Sequence, residues 1–299
     1  MSARQLLRLL LLVQLAGATL VGYAIARVLH AGFVVGLLGG AIALVLVRVA
    51  ISANNFRLSA RASSITPQEH RIGARAALAL FAEEFAASMH FSSWTMPRAT
   101  PRMTIHANAA PPVLLLHGYG CNSGYWAQLT PMLDAARISH ATLDLAPVTA
   151  SIDAFVPQVG EGVRALLAAT GADKIVIVAH SMGGLVARAW MRDHGIDRVG
   201  HVITLGTPHH GTGLANLGVG ANAAQMRRGS AWLCALAASE APATRALLTS
   251  IYTHHDNIVA PQTSSELDGA RNLAFGGVGH VALGANPRIL DAVMACLEP

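Results

Sequence analysis

Ser181 stands in Ala179-His180-Ser181-Met182-Gly183-Gly184, directly after the apolar run Ile175-Val176-Ile177-Val178. A β-branched run that ends in small residues around a serine reads as a strand, a sharp turn and a helix, with the hydroxyl at the tip of a strained elbow. Ala179 occupies a position that suits glycine and is still small; Gly183 holds the second such position. The helix expected from Met182 to about His194 aims its N-terminal amides at any negative charge forming near Ser181. The chemistry open to such a serine is acyl transfer. It needs a base, an acid that orients the base, and donors for an oxyanion.

With the serine on a strand-to-helix elbow, acid and base are expected in the chain order Ser, Asp or Glu, His. The strand-like stretch 250–253 runs into His254-His255-Asp256-Asn257, which puts Asp256 just past a strand end. Catalytic residues of α/β sheets collect there. The stretch 271–275 ends in Gly276-Gly277-Val278-Gly279-His280, a histidine on a glycine-rich loop and the expected base. His209, His210, His254 and His255 compete as bases, and Asp268 and Asp144 as acids. Chain order and strand-end position favour Asp256 and His280. His209 and His210 follow the strand after the elbow and suit the rim of an acyl pocket, for which His117 and His180 are further candidates. Asp268 lies in a turn, and Asp144 lies upstream of the serine. The oxyanion donors expected are the backbone N–H of Met182 and that of Tyr119 in His117-Gly118-Tyr119-Gly120. Cys121 reads as a packed thiol. No metal-ligand spacing and no phosphate-cradling glycine loop appears, so neither a metal nor a cofactor is expected.

These residues need a scaffold. Short apolar runs at 113–116, 141–145, 175–178, 202–205, 250–253 and 271–275 read as strands, and helices are expected near 126–137, 151–170 and 182–194. Strands alternating with helices indicate a mostly parallel sheet covered on both faces, an α/β class over 113–299. The segment 214–243, with helix-like 221–227 and 231–238, is a candidate lid or short cap over Ser181, or else a plain crossover. Cys121, Cys234 and Cys296 are odd in number and widely spaced, which fits reduced thiols.

The chain's 299 residues carry a net charge of +5, but residues 1–102 hold ten arginines against Glu69, Glu83 and Glu84, a net of +7, and the rest sums to −2. Basicity confined to one end, with no basic stripe elsewhere, excludes a nucleic-acid partner and points to a membrane. Uncharged apolar stretches at 9–26 and 31–47 are each about long enough to cross ~30 Å of hydrocarbon as helices. Ala18, Gly22, Ala26 and Gly32, Gly36, Gly40 recur at one-turn spacing, as in close helix pairs in lipid. The expectation is a transmembrane hairpin over 1–51. Arg4 and Arg8 precede it, Arg27 lies in its turn, and Arg48, Arg57 and Arg61 follow. The positive-inside bias then keeps both ends, and the rest of the chain, on the cytoplasmic face of a bacterial inner membrane. A signal peptide cleaved after Ala26 and a pair of buried soluble helices are the competing readings. Residues 52–112 read as a linker, with a helix opened by Pro67 and running to about 89, docked on the catalytic unit or lying on the membrane.

Leu115-Leu116-His117-Gly118-Tyr119-Gly120, the A-H-S-M-G-G elbow, T-L-G-T-P-H-H-G-T and H-D-N-I-V-A-P together resemble bacterial lipases and esterases of the α/β-hydrolase fold, over about 113–298. The resemblance implies an eight-stranded type of sheet and cofactor-independent hydrolysis of carboxylic esters, with roles for Ser181, Asp256, His280, Tyr119 and Met182. The hairpin departs from secreted lipases. The expected function is therefore a membrane-anchored serine hydrolase acting on acylglycerol or other lipid esters. An amidase, thioesterase or acyltransferase with the same triad, or an idle binding module, is the alternative.

Overall fold

A computed structural model describes residues 1–107 and 110–298. Residues 108 and 109, in the expected linker, and 299, at the end of the expected catalytic unit, lie outside the described residues. The chain opens with two long helices, α1 (Ala3–Val28) and α2 (Phe33–Ala62), joined by a short turn. Both are long and apolar enough to cross a membrane, and most of their length is uncovered by the rest of the protein. Their packing explains the small residues. A Cβ on Gly22 would lie 2.3 Å from Gly36 O, and one on Gly40 would lie 2.2 Å from Ala18 O, so the two backbones touch.

The 30 residues of α2 span about 45 Å, well beyond a bilayer's hydrocarbon. Its last three turns or so, residues 52–62, carry the chain back to the sheet-bearing part, where sequence reading expected linker from residue 52. Arg48 joins the pieces, with Nε donating to Gln14 Oε1 of α1 at 2.9 Å and Nη1 to Ser93 Oγ at 2.7 Å. The next helix, α3 (Ala74–His90), starts seven residues after Pro67, because Gly73 in extended backbone serves as its cap. A π-helical turn, Phe91–Thr95, prolongs it.

The sheet has seven strands among the described residues: β1 (Met103–Thr104), β2 (Val113–Leu116), β3 (His140–Thr142), β4 (Ile175–His180), β5 (Val199–Leu205), β6 (Leu248–Thr253) and β7 (Arg271–Phe275). They lie in the order β1-β3-β2-β4-β5-β6-β7, all parallel except that β1 runs antiparallel to β3. The sheet thus has one strand fewer than the eight implied by the resemblance. Its first strand, only two residues long, has no periodic pattern to announce it. The later helices are α4 (Leu129–Ala135), α5 (Val156–Thr170), α6 (Met182–His194), α7 (Ala221–Gln225), α8 (Ala231–Ser239), α9 (Pro242–Ala246) and α10 (Pro287–Ala295).

Strand alternation sorts the core. Leu114, Leu116, Ile175, Ile177 and Ala179 pack under α5 and α6, while Val113, Leu115, Val176 and Val178 face Trp126, Leu290 and Phe91. Phe91 comes from the segment before the sheet and is fully buried. The core around the sheet therefore begins upstream of residue 113. Replacement of Gly40 by leucine should overpack the hairpin and destabilise it by about 1–3 kcal/mol. The thermal midpoint of the detergent-solubilised protein measures this; an unchanged midpoint would mean that α1 and α2 do not pack through this face.

Candidate active site

Ser181 occupies the single residue between β4 and α6, with φ +54° and ψ −125°. A serine in that region carries strain of about 1–3 kcal/mol and persists only where neighbours fix it. Here Ser181 N–H donates to Leu205 O at 2.8 Å, and Thr207 Oγ1 donates to Ser181 O at 2.9 Å. A Cβ on Gly183 would lie 2.5 Å from Leu116 O, so the helix start rests directly on β2. The elbow is possible because the residues around it are small.

Asp256 lies just past β6 and His280 just past β7, and the two meet: Asp256 Oδ2 is 2.7 Å from His280 Nδ1. The other carboxylate oxygen accepts N–H groups from Ile258 at 2.8 Å and Val259 at 2.7 Å. His280 N–H donates to Asn257 Oδ1 at 2.9 Å. Gly206, at φ +55°, makes room: a Cβ there would lie 3.2 Å from both Asp256 Oδ2 and His280 Nδ1 and 2.6 Å from Leu283 Cδ1. Both side chains are buried. Burial alone would lower the His280 pKa, but the charge and hydrogen bond of Asp256, with the charge of Glu84, outweigh it and raise it. With Nδ1 engaged by a carboxylate, Nε2 is the nitrogen left for a substrate proton. The His280 ring sits 4.6 Å from the ring of His180, the neighbour of Ser181.

The loop after β2 passes over the serine, since a Cβ on Gly118 would lie 2.8 Å from Ser181 Cβ. It carries the Tyr119 amide, while Met182 supplies the first amide of α6. Both residues adjoin positions that touch the elbow, Gly118 and Ser181. The Tyr119 hydroxyl donates to Val219 O at 2.7 Å and accepts the Val219 N–H at 3.1 Å, tying this loop to the 214–243 segment. Leu217 and Val219 of that segment are about 70% exposed, 69% and 70% respectively.

The four histidines expected around the pocket have different surroundings. His117 is buried, with Nδ1–H donating to Gly118 O at 2.9 Å and Nε2 accepting Leu145 N–H at 2.9 Å, and burial lowers its pKa. His180 is stacked on Tyr125 at 4.0 Å, with Nε2 3.2 Å from His280 O; burial first, then His280, pushes its pKa well down. His209 lies in the interior, where Arg188 Nη1 donates to its Nδ1 at 3.2 Å and Arg188 in turn pairs with Glu240 at 2.6 Å. His210 is exposed and borders a surface cleft with Arg228 and Ser264. Of the competing groups, His255 Nδ1 accepts Gly277 N–H at 3.1 Å, Asp144 accepts Ser123 N–H at 2.8 Å, and Asp268 is exposed. Burial raises the Cys121 thiol to about 12, which keeps it an inert thiol. Among the described residues, no group of three His, Cys, Asp or Glu is arranged to hold a metal ion.

A family profile described as the alpha/beta hydrolase fold matches residues 111–241. The chain has the α/β-hydrolase fold. Solved structures of similar shape include the Bacillus licheniformis lipase BlEst2 in its mature form, at TM-score 0.60 and 18% identity, covering 67% of this chain and 98% of that one. Aspergillus fumigatus lipase B matches at TM-score 0.55 and 18% identity, over 65% of this chain and 55% of that one. A thermophilic esterase from Thermogutta terrifontis, malate bound, matches at TM-score 0.50 and 18% identity, over 66% and 92%. In this α/β-hydrolase fold, Ser181, Asp256 and His280 come from the ends of β4, β6 and β7.

Sequence reasoning missed Thr207, Gly206, Ser59 and Glu84. Ser59 Oγ, from the end of α2, donates to Asp256 O at 2.7 Å, and Gln262 Nε2 donates to the same oxygen at 2.9 Å. Glu84 accepts two amides next to His280. Thr207 and Gly206 lay in the quoted T-L-G-T-P-H-H-G-T run and could have been read as elbow supports; the other two give no local signal.

His280→Ala and Asp256→Asn should each abolish most turnover of a short-chain ester, with His280→Ala losing on the order of 10⁴-fold. His209→Ala should keep turnover and lose about 1–3 kcal/mol of stability, because Arg188 loses a partner. An active His280→Ala would remove the base as assigned. Because the base must be neutral and its pKa is raised, kcat/KM should fall with decreasing pH along a limb above the ordinary histidine value of about 6.5.

Proposed function

We propose that this protein is a membrane-anchored serine hydrolase that cleaves carboxylic esters, with lipid esters as its substrates. The observation that carries the reading is the strained Ser181 elbow beside the buried Asp256–His280 pair, 2.7 Å apart, at adjoining strand ends. In the proposed mechanism His280 Nε2 takes the Ser181 proton as Oγ attacks the ester carbonyl. The Tyr119 and Met182 amides hold the oxyanion. His280 then gives the proton to the leaving alcohol, and water, deprotonated by the same nitrogen, releases the acid from the acyl-serine. Asp256 fixes the imidazole's tautomer and stabilises the imidazolium. The structural neighbours named lipases and esterase support ester hydrolysis.

The placement of the hairpin supports a lipid substrate. Val148 N–H donates to Met1 O at 3.3 Å, and Arg8 Nε donates to Pro97 O at 2.8 Å, so the start of α1 rests on the catalytic unit. At the other end of the hairpin, Ser59 reaches the Asp256 loop and Ser64 Oγ donates to Gln262 Oε1 at 3.2 Å. Val148, Asp256 and Gln262 all lie in loops at the carboxyl ends of strands, the end that carries Ser181. Two apolar helices anchored at that end would hold the site next to the inner leaflet, with Leu217 and Val219 as an apolar rim. The arginine distribution favours a cytoplasmic face.

The test is hydrolysis of p-nitrophenyl esters of increasing chain length and of acylglycerol or phospholipid in vesicles by the reconstituted protein. Release of fatty acid from vesicles, lost in Ser181→Ala, is expected. A folded protein that turns over none of these esters would refute the reading. For sidedness, a C-terminal alkaline phosphatase fusion should be inactive in a bacterial host and a green fluorescent protein fusion bright; strong phosphatase activity would mean export.

A further inference from the structure

Glu84 is 2% exposed, lies on α3, and contacts a loop almost two hundred residues away. Its Oε1 accepts Val281 N–H at 3.0 Å and its Oε2 accepts Ala282 N–H at 2.8 Å. These amides open the short 3-10 turn Val281–Gly284, for which His280 is the cap residue. Beside it, Glu83 Oε1 accepts from Asn286 Nδ2 at 2.6 Å. A Cβ on Gly279 would lie 2.5 Å from Glu84 Oε2, so the loop is shaped around the carboxylate. No Arg or Lys pairs with Glu84 among the described residues. A buried carboxylate without a basic partner is a poor way to dock a helix, since an alanine there would avoid the desolvation.

We propose that Glu84 is a positioning residue for His280, holding the loop that carries the base through Val281 and Ala282 and adding its negative charge to that of Asp256 near the imidazole. The proposal rests on the reading of His280 as the base. Three backbone amides fix that loop: His280 N–H is held by Asn257, and the next two by Glu84. The groups facing His280 are Asp256 from the loop after β6, Glu84 from α3 and His180 at the end of β4. Burial pushes the His180 pKa well down and the nearby Tyr125 phenol well up, so both stay neutral. That leaves Asp256 and Glu84 as the charges that favour the imidazolium. Burial, with the charge of Asp256, holds the Glu84 carboxyl above its ordinary value, although the two amides and His280 pull it down. When His280 takes the serine proton, the charges of Asp256 and Glu84 both favour the new positive charge. Loss of the Glu84 charge must then lower the proton affinity of His280 and move the acid limb of kcat/KM to lower pH.

The experiment is the pH profile of a short-chain p-nitrophenyl ester with full-length solubilised wild type, Glu84→Gln and Glu84→Asp. Glu84→Gln should lower kcat about 10- to 100-fold, as for small displacements of a catalytic group, and shift the acid limb to lower pH. Glu84→Asp keeps the charge on a shorter arm, so its kcat should fall while its acid limb stays close to the wild-type one. A Glu84→Gln limb that coincides with the wild-type limb overturns the proposal, whatever its kcat. If Glu84→Gln fails to fold, Glu84→Asp decides: wild-type kcat there overturns it. Survival of turnover in His280→Ala would instead overturn the triad reading, whereas dependence on His280 with an unmoved Glu84→Gln limb removes only the role of Glu84.

Discussion

The 2.7 Å contact between Asp256 Oδ2 and His280 Nδ1 is the interaction on which the site depends. It joins two loops that leave different strands, and a short 3-10 turn is the only regular structure either loop has among the described residues. Each is therefore held by several hydrogen bonds from elsewhere. Ile258 and Val259 orient the carboxylate, Asn257 holds the His280 backbone, and Gly206 leaves the space in which the two side chains meet. In a buried setting each unmade bond would cost about 1–3 kcal/mol, so the arrangement is cooperative: losing one support weakens the rest.

The segment before the sheet belongs to this arrangement. Ser59 holds the carbonyl of Asp256, Glu84 holds the amides after His280, and Phe91 lies in the core under the sheet. The hairpin and the helix that follows it are thus fastened to the loops of Asp256 and His280. Ser59 at the end of α2 bonds both Asp256 O, at 2.7 Å, and Gln262 Nε2, at 3.0 Å, and Ser64 adds a further bond to Gln262, so the end of α2 is tied directly to the Asp256 loop. Under the proposed function, the bilayer and the triad share one rigid support, and the site faces the source of its substrate.

What could be read from sequence was local. The elbow announced itself because only small residues let β4, α6 and β2 touch, and the meeting of Asp256 and His280 was legible because both were expected just past strand ends. The close hairpin was legible from glycines at one-turn spacing. Docking of α3 was not, since an alanine-rich helix with Glu83 and Glu84 suits a protein surface or a membrane surface equally. Its start was misplaced because Gly73, not Pro67, caps it. His209 read as a pocket residue because its neighbours on the chain are loop-like. Its burial depends on Arg188 and Glu240, which are distant in sequence and leave no pattern near residue 209.

The central claim is that Ser181 is the nucleophile, made reactive by its elbow and by the pair behind it. Peptide mapping of the protein after reaction with a fluorophosphonate tests it most directly. The account predicts a single phosphonyl adduct on Ser181, formed by the folded protein and lost on prior heat denaturation. An adduct on Cys121 or another serine, or none in a preparation that still hydrolyses ester, would contradict it.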